Sequence, residues 1–211
     1  ALTNDNKTLI LSFKEVAEII SRNKYKDKRF VYIPYLFNKI ENEKNFTEFY
    51  VENFGYIKHS KNLLIEIDIG MQIIYLTQYK VDDWALISEA KLKDWTIIFR
   101  GALSEKKKKS VEEQRFNQFG LTGCLNIYKS NFENTNIDVK NGQCEDSLNI
   151  VKSKGSIKNI IVKSSFADGI DIDFSDVYID NILVSNSGND CLDVSSGQYI
   201  VSQLTVNTCG D

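Results

Sequence analysis

Several things are scarce in this 211-residue chain, and each scarcity removes a class of function. No run of about 18 or more apolar residues occurs, so no segment reads as a membrane-spanning helix. The opening ALTNDNKTLI has no basic stretch followed by an apolar one, so no signal peptide is expected there. Positive charge is not in excess. With 26 Lys and Arg against 29 Asp and Glu, the formal net charge is −3. The basic stripe typical of nucleic-acid binding is missing, and no nucleic-acid partner is expected. The four cysteines, Cys124, Cys144, Cys191 and Cys209, include no C-x-x-C pair, which argues against a zinc knuckle. Proline occurs once, at Pro34, and histidine once, at His59.

What is present is a repeat. GCLNI at 123–127, DSLNI at 146–150, DGIDI at 168–172 and DCLDV at 190–194 align on Leu125, Leu148, Ile170 and Leu192. A second apolar column, Ile137, Ile160, Ile182 and Leu204, keeps the same step of about 22 residues. Val139, Val162, Val184 and Val206 form a third column, and Ile157, Ile179 and Ile200 a shorter one. Each unit alternates apolar and polar residues as strands do, between turn residues such as Ser187-Gly188-Asn189 and Ser195-Ser196-Gly197. Leucine-rich repeats share the period but need a helix or 3₁₀ turn in the second half of the unit. SIKNIIV at 156–162 reads as strand there. The fold class is therefore all-β: a right-handed parallel β-helix, in which stacked coils close one another's apolar face.

This divides the chain into three. Residues 121–211 hold the regular coils, breaking off mid-repeat at Cys209-Gly210-Asp211, so further coils are expected to follow. Residues 101–120 hold a charged insertion, EKKKKSVEEQR, read as a solvated loop or short helix between coils. Residues 1–100 are less regular. SFKEVAEIISRN at 12–23 reads as an amphipathic capping helix, with Ser12 and Glu15 as a capping box. Strand-like runs follow at 29–33, 63–69, 72–76, 84–87 and 95–99, as distorted early coils or as a small α/β subdomain. An open end of the stack would favour oligomerisation.

Two polar columns accompany the apolar ones. Asn126, Asn149, Asp171 and Asp193 directly follow the first apolar column, so alternation points them outward. Asp146, Asp168, Asp190 and Asp211 sit at the turn into the strand. Carboxylates stacked about 5 Å apart repel by about 3 kcal/mol at an effective dielectric near 20. Hydrogen bonds, a bound cation or raised pKa values must relieve that repulsion. Two readings stand side by side. Asp and Asn favour turns and form ladders for architectural reasons, whereas raised carboxylate pKa values serve general acid catalysis. No cofactor motif is legible, and calcium is the cation such an oxygen-rich face suits.

At these residues the sequence resembles the polygalacturonases, β-helical glycoside hydrolases with the motifs N-T-D-G-[IF]-D, D-D-C-[IL], S-G and C-x-G-H-G. Ala167-Asp168-Gly169-Ile170-Asp171 is similar to the first, Asn189-Asp190-Cys191-Leu192 to the second, Ser196-Gly197 to the third, and Cys209-Gly210-Asp211 begins the fourth. The resemblance implies that Asp168 and Asp190 are catalytic carboxylates. Asn189 replaces the other aspartate of the pair, and Asp211 falls near the family's histidine. With the columns, it nominates Asp168, Asp190, Asp171 and Asp193 as catalytic, Asn149, Asn189, Asp173 and Asp211 as substrate-binding, and no metal-ligand set. It also implies a polysaccharide partner, through hydrolase-, lyase- or epimerase-like chemistry or simple binding, in a secreted, periplasmic or cell-surface setting. The alternative is a non-catalytic structural or surface module. His59 lies far from the coil repeat and reads as a surface or loop residue. The cysteines read as small residues buried in the coil interior. Pairing Cys124 with Cys144 and Cys191 with Cys209 needs a tight turn, because extended chain leaves them about 10 Å apart against a limit of roughly 7 Å.

Overall fold

A computed structural model describes residues 8–10, 29–32, 46–51, 53–102 and 116–210. The helix expected at 12–23, the charged run 105–115 and Asp211 lie outside the described residues. No helix occurs among the described residues, and none is long and apolar enough to cross a membrane.

The coils are a parallel β-helix with three faces around one core. Face A stacks β7 (Ala85–Ser88), β10 (Gly123–Tyr128), β12 (Asp146–Val151) and the first parts of β14 (Asp168–Ser187) and β15 (Leu192–Asn207). Face B stacks β8 (Lys91–Lys93) on the first parts of β11 (Asn131–Lys140) and β13 (Lys154–Ser165), then on the middles of β14 and β15. Face C stacks β6 (Ile73–Thr77), β9 (Thr96–Arg100) and the ends of β11, β13, β14 and β15. All of these pairs are parallel.

The register follows the apolar columns. Leu125 pairs Leu148, Ile170 and Leu192 in turn, and Ile137 pairs Ile160, Ile182 and Leu204. Alternation turns every second side chain inward, so these columns are sealed except in the last coil. The short column needs correction. Ile179 pairs Val201, while Ile200 pairs Tyr178 and is 62% exposed. The 22-residue offset holds throughout β15, and β-strand parity does not tolerate a slip of one residue.

The corners explain how short strands close a coil. Lys129, Lys152, Phe174 and Ser196 stand one above another between faces A and B, with φ between +48° and +50°. Asn141, Ser164, Asn186 and Thr208 repeat this after face C. Beside the first corner runs a serine ladder. Ser130, Ser153 and Ser175 are buried. Each hydroxyl donates to the carbonyl two residues earlier, and accepts from the backbone N–H of the coil before. Gly197 takes the next rung, because a Cβ there would lie 2.1 Å from the Ser175 carbonyl oxygen. The Tyr199 hydroxyl moves into the vacated place, 3.5 Å from the Ser175 nitrogen.

Both cysteine pairs are disulfides, Cys124–Cys144 and Cys191–Cys209, each with Cα atoms 5.3 Å apart. This corrects the reading of them as unpaired core residues. The turn before β12 folds Cys144 back beneath Cys124, which the extended-chain estimate of about 10 Å missed.

The N-terminal end is closed by strands running the other way. β4 (Gly55–Ser60) is antiparallel to β7, and β5 (Leu64–Asp68) is antiparallel to β6. Outside them lie β3 (Phe46–Val51) on β4 and β2 (Arg29–Tyr32) on β5, with β1 (Thr8–Ile10) parallel to β2. His59 is not on the surface. It is fully buried on β4, its ring edge-on to Phe49, with Nδ1 2.7 Å from the Ser60 carbonyl oxygen. Burial lowers its pKa to about 4, so it is neutral at physiological pH.

Candidate functional site

Face A does not turn a uniform polar column to solvent. Residues 116–122 lie over its early coils, with Phe119 packed edge-on against Phe46 and Trp84 and within 5.1 Å of the Lys58 ammonium. Asn126 and Asn149 are therefore buried, not outward-exposed as alternation suggested. Asn126 folds back to donate to the Ala85 and Gly123 carbonyls and to accept from the Gly123 N–H. Asn149 donates to the Asp171 carboxylate at 3.0 Å. Further along the face, Asp171 is half-buried and Asp193 is exposed.

The edge of this cover forms a cleft of about 560 Å³. Asn149, Asp171 and Asp173 line it together with the rings of Phe116, Phe119 and Phe174 and with Lys58 and Lys152. Asp171 and Asp173 have the same outward parity, and their carboxyls are hydrogen-bonded to each other. Burial first, then the Asp173 and Asp193 charges, push Asp171 up to about 7. Asp171 is thus partly protonated near neutrality. Asp173 also accepts from the Ser195 hydroxyl at 2.7 Å.

The turn column behaves differently. Asp168 accepts from the Asn189 amide at 2.7 Å and the Asp190 N–H at 3.0 Å. These bonds offset the upward push of burial, which still prevails. Asn189 is thus a strut of the coil corner, and it holds the residue that the motif resemblance made catalytic. Asp190 is exposed. Neither Asp168 nor Asp190 lines the cleft. Of the sequence candidates, the fold gathers Asn149, Asp171 and Asp173 at the cleft, and leaves Asp193 beside it in the last coil. Asp211 is outside the described residues.

Sequence reasoning passed over Asp146. It is 3% exposed, takes a hydrogen bond from Thr122, and has one carboxyl oxygen with no partner. Burial pushes it up to about 7, with Asp171, Asp168 and Glu145 adding to the effect. Its membership of the turn column was the available signal. The aromatic lining gave no signal, because 116–122 has no repeat to align with. Among the described residues, no three carboxylate, histidine or cysteine side chains are grouped to hold a metal ion.

No family model, curated protein or solved structure matches the chain.

Proposed function

We propose that the protein handles a polysaccharide in the face A cleft, on a β-helix of the pectin-lyase-like kind. Asp171 is the proton donor and Asp173 its partner carboxylate. The observation behind this reading is the hydrogen-bonded Asp171–Asp173 pair in a cleft also lined by aromatic rings. A carboxyl raised to about 7 offers a proton near neutrality, as general acid catalysis at a glycosidic oxygen requires. Concave sites of this volume bind by apolar walls and a few placed polar groups. Phenyl rings suit the apolar faces of sugar rings, and the Asn149 amide and the carboxylates suit their hydroxyls. The motif resemblance pointed to the same chemistry through Asp168 and Asp190. The hydrogen bonds of Asp168 favour a supporting role for it instead.

The test is polymer turnover by the intact chain on xylan, mannan, galactan and polygalacturonate, read as new reducing ends or unsaturated products. Asp171→Asn and Asp173→Asn are expected to abolish product while circular dichroism stays unchanged, and Asp190→Asn to leave most of it. Retention of a polymer without product would reduce the site to a binding module. No retention and no product on any polymer would overturn the reading.

A further inference from the structure

The corner between faces A and B imposes a left-handed backbone on whatever residue occupies it. Most coils place a polar residue there: Glu89, Lys129, Lys152 and Ser196. One coil places Phe174, with φ +48° and 59% of its surface exposed. A bulky aromatic is among the costliest residues in that conformation, and exposing it forgoes the gain of burial. Alternation alone would carry it inward with Ile170 and Ile172, but the left-handed corner turns it out. It makes no ring contact among the described residues, and it stands at the cleft, next in the chain to Asp173. An expense with no return inside the fold, placed at a cleft, marks a contact with something outside it.

We infer that Phe174 is a binding residue: its ring is a stacking platform for the apolar face of a pyranose unit whose hydroxyls meet Asp173 and Asp171. This rests on the polysaccharide reading above and deepens it by naming the residue that sets affinity. The ring acts by shape and polarisability, so another aromatic should replace it and a polar residue should not. Asn tolerates the left-handed conformation, so Phe174→Asn removes the ring without adding strain.

The experiment is affinity electrophoresis of the intact chain through gels carrying xylan, mannan, galactan or polygalacturonate, with thermal melting of each variant. The wild type is expected to be retarded by at least one polymer. Phe174→Asn and Phe174→Ala should weaken that retardation about ten-fold, and Phe174→Trp should keep it. The melting temperature of Phe174→Asn should equal or exceed the wild-type value. Wild-type retardation that persists in Phe174→Asn overturns this inference alone, as does loss of retardation in Phe174→Trp. A melting temperature of Phe174→Asn several degrees lower makes the ring structural and also overturns it. A wild type retarded by no polymer overturns this inference, and if it also forms no product from any polymer the polysaccharide reading falls with it.

Discussion

The two ends of the coil stack meet the same problem differently. At the N-terminal end, β4 and β5 run against the coil direction and cover the first strands of faces A and C, and Ile57, Leu63, Ile65 and Ile67 on and between them are all buried. At the other end, β15 keeps the register, yet Val194, Leu204 and Val206 are about half exposed. Identical sequence columns thus give a sealed core at one end and an open apolar rim at the other. A column position predicts inward orientation, whereas burial also needs a coil on each side.

The largest expected contrast lies within one column. Ile182→Ala, in a site 1% exposed, should cost about 3–4 kcal/mol. Leu204→Ala, the next member at 49% exposed, should cost about 1 kcal/mol. Equal losses in chemical denaturation would mean the last coil is covered in solution. Next come the disulfides, which close spans of 20 and 18 residues. Replacing Cys124 and Cys144 by serine should lower global stability by about 3 kcal/mol. Replacing Cys191 and Cys209 should chiefly remove hydrogen-exchange protection from 192–207 and leave the earlier coils protected. Tyr199→Phe removes the hydroxyl that stands in for a serine rung and should cost about 1 kcal/mol, read again as faster exchange in β15.

The last effect concerns pH. Asp146 and Asp171 fold with pKa values near 7, above the ordinary carboxylate value of 3.8. Folding therefore favours their protonated forms. Their contribution is intact below about pH 4 and is lost as pH rises to about 7. Melting temperature should be higher at pH 5 than at pH 8, and Asp146→Asn should flatten that slope. A wild-type slope of the opposite sign would show that the acid face is relieved in another way.

How much of this was legible in sequence depends on the range of the interaction. The coils were legible because each Ile or Leu repeats the environment of the one a coil before. Ile200 misled because Tyr199 interrupts the apolar parity after Gly197, and only the continuous offset of β15 identifies Val201. Strand direction at the N-terminal end was not legible, since alternation reads the same both ways along β4 and β5. The burial of Asn126 and Asn149 was hidden too, because 116–122 covers them from outside the repeat. The serine ladder was present at the same step, but single hydroxyls are a weaker pattern than apolar columns. At the site, Asp171 and Asp173 followed from parity, whereas Phe174 depends on a corner conformation that spacing does not encode.

The reversed strands at the N-terminal end also have a kinetic meaning. The β3–β4 and β5–β6 pairs join neighbours in the chain, so they close short loops and form on the fast timescale of hairpins. Every later coil must instead close a loop of about 22 residues onto an existing edge. The antiparallel pairs are thus expected to form early and the coils to add onto them, an order that pulsed hydrogen exchange would read. Among the described strands, β15 leaves the most apolar side-chain surface open, and it is expected to lose exchange protection first.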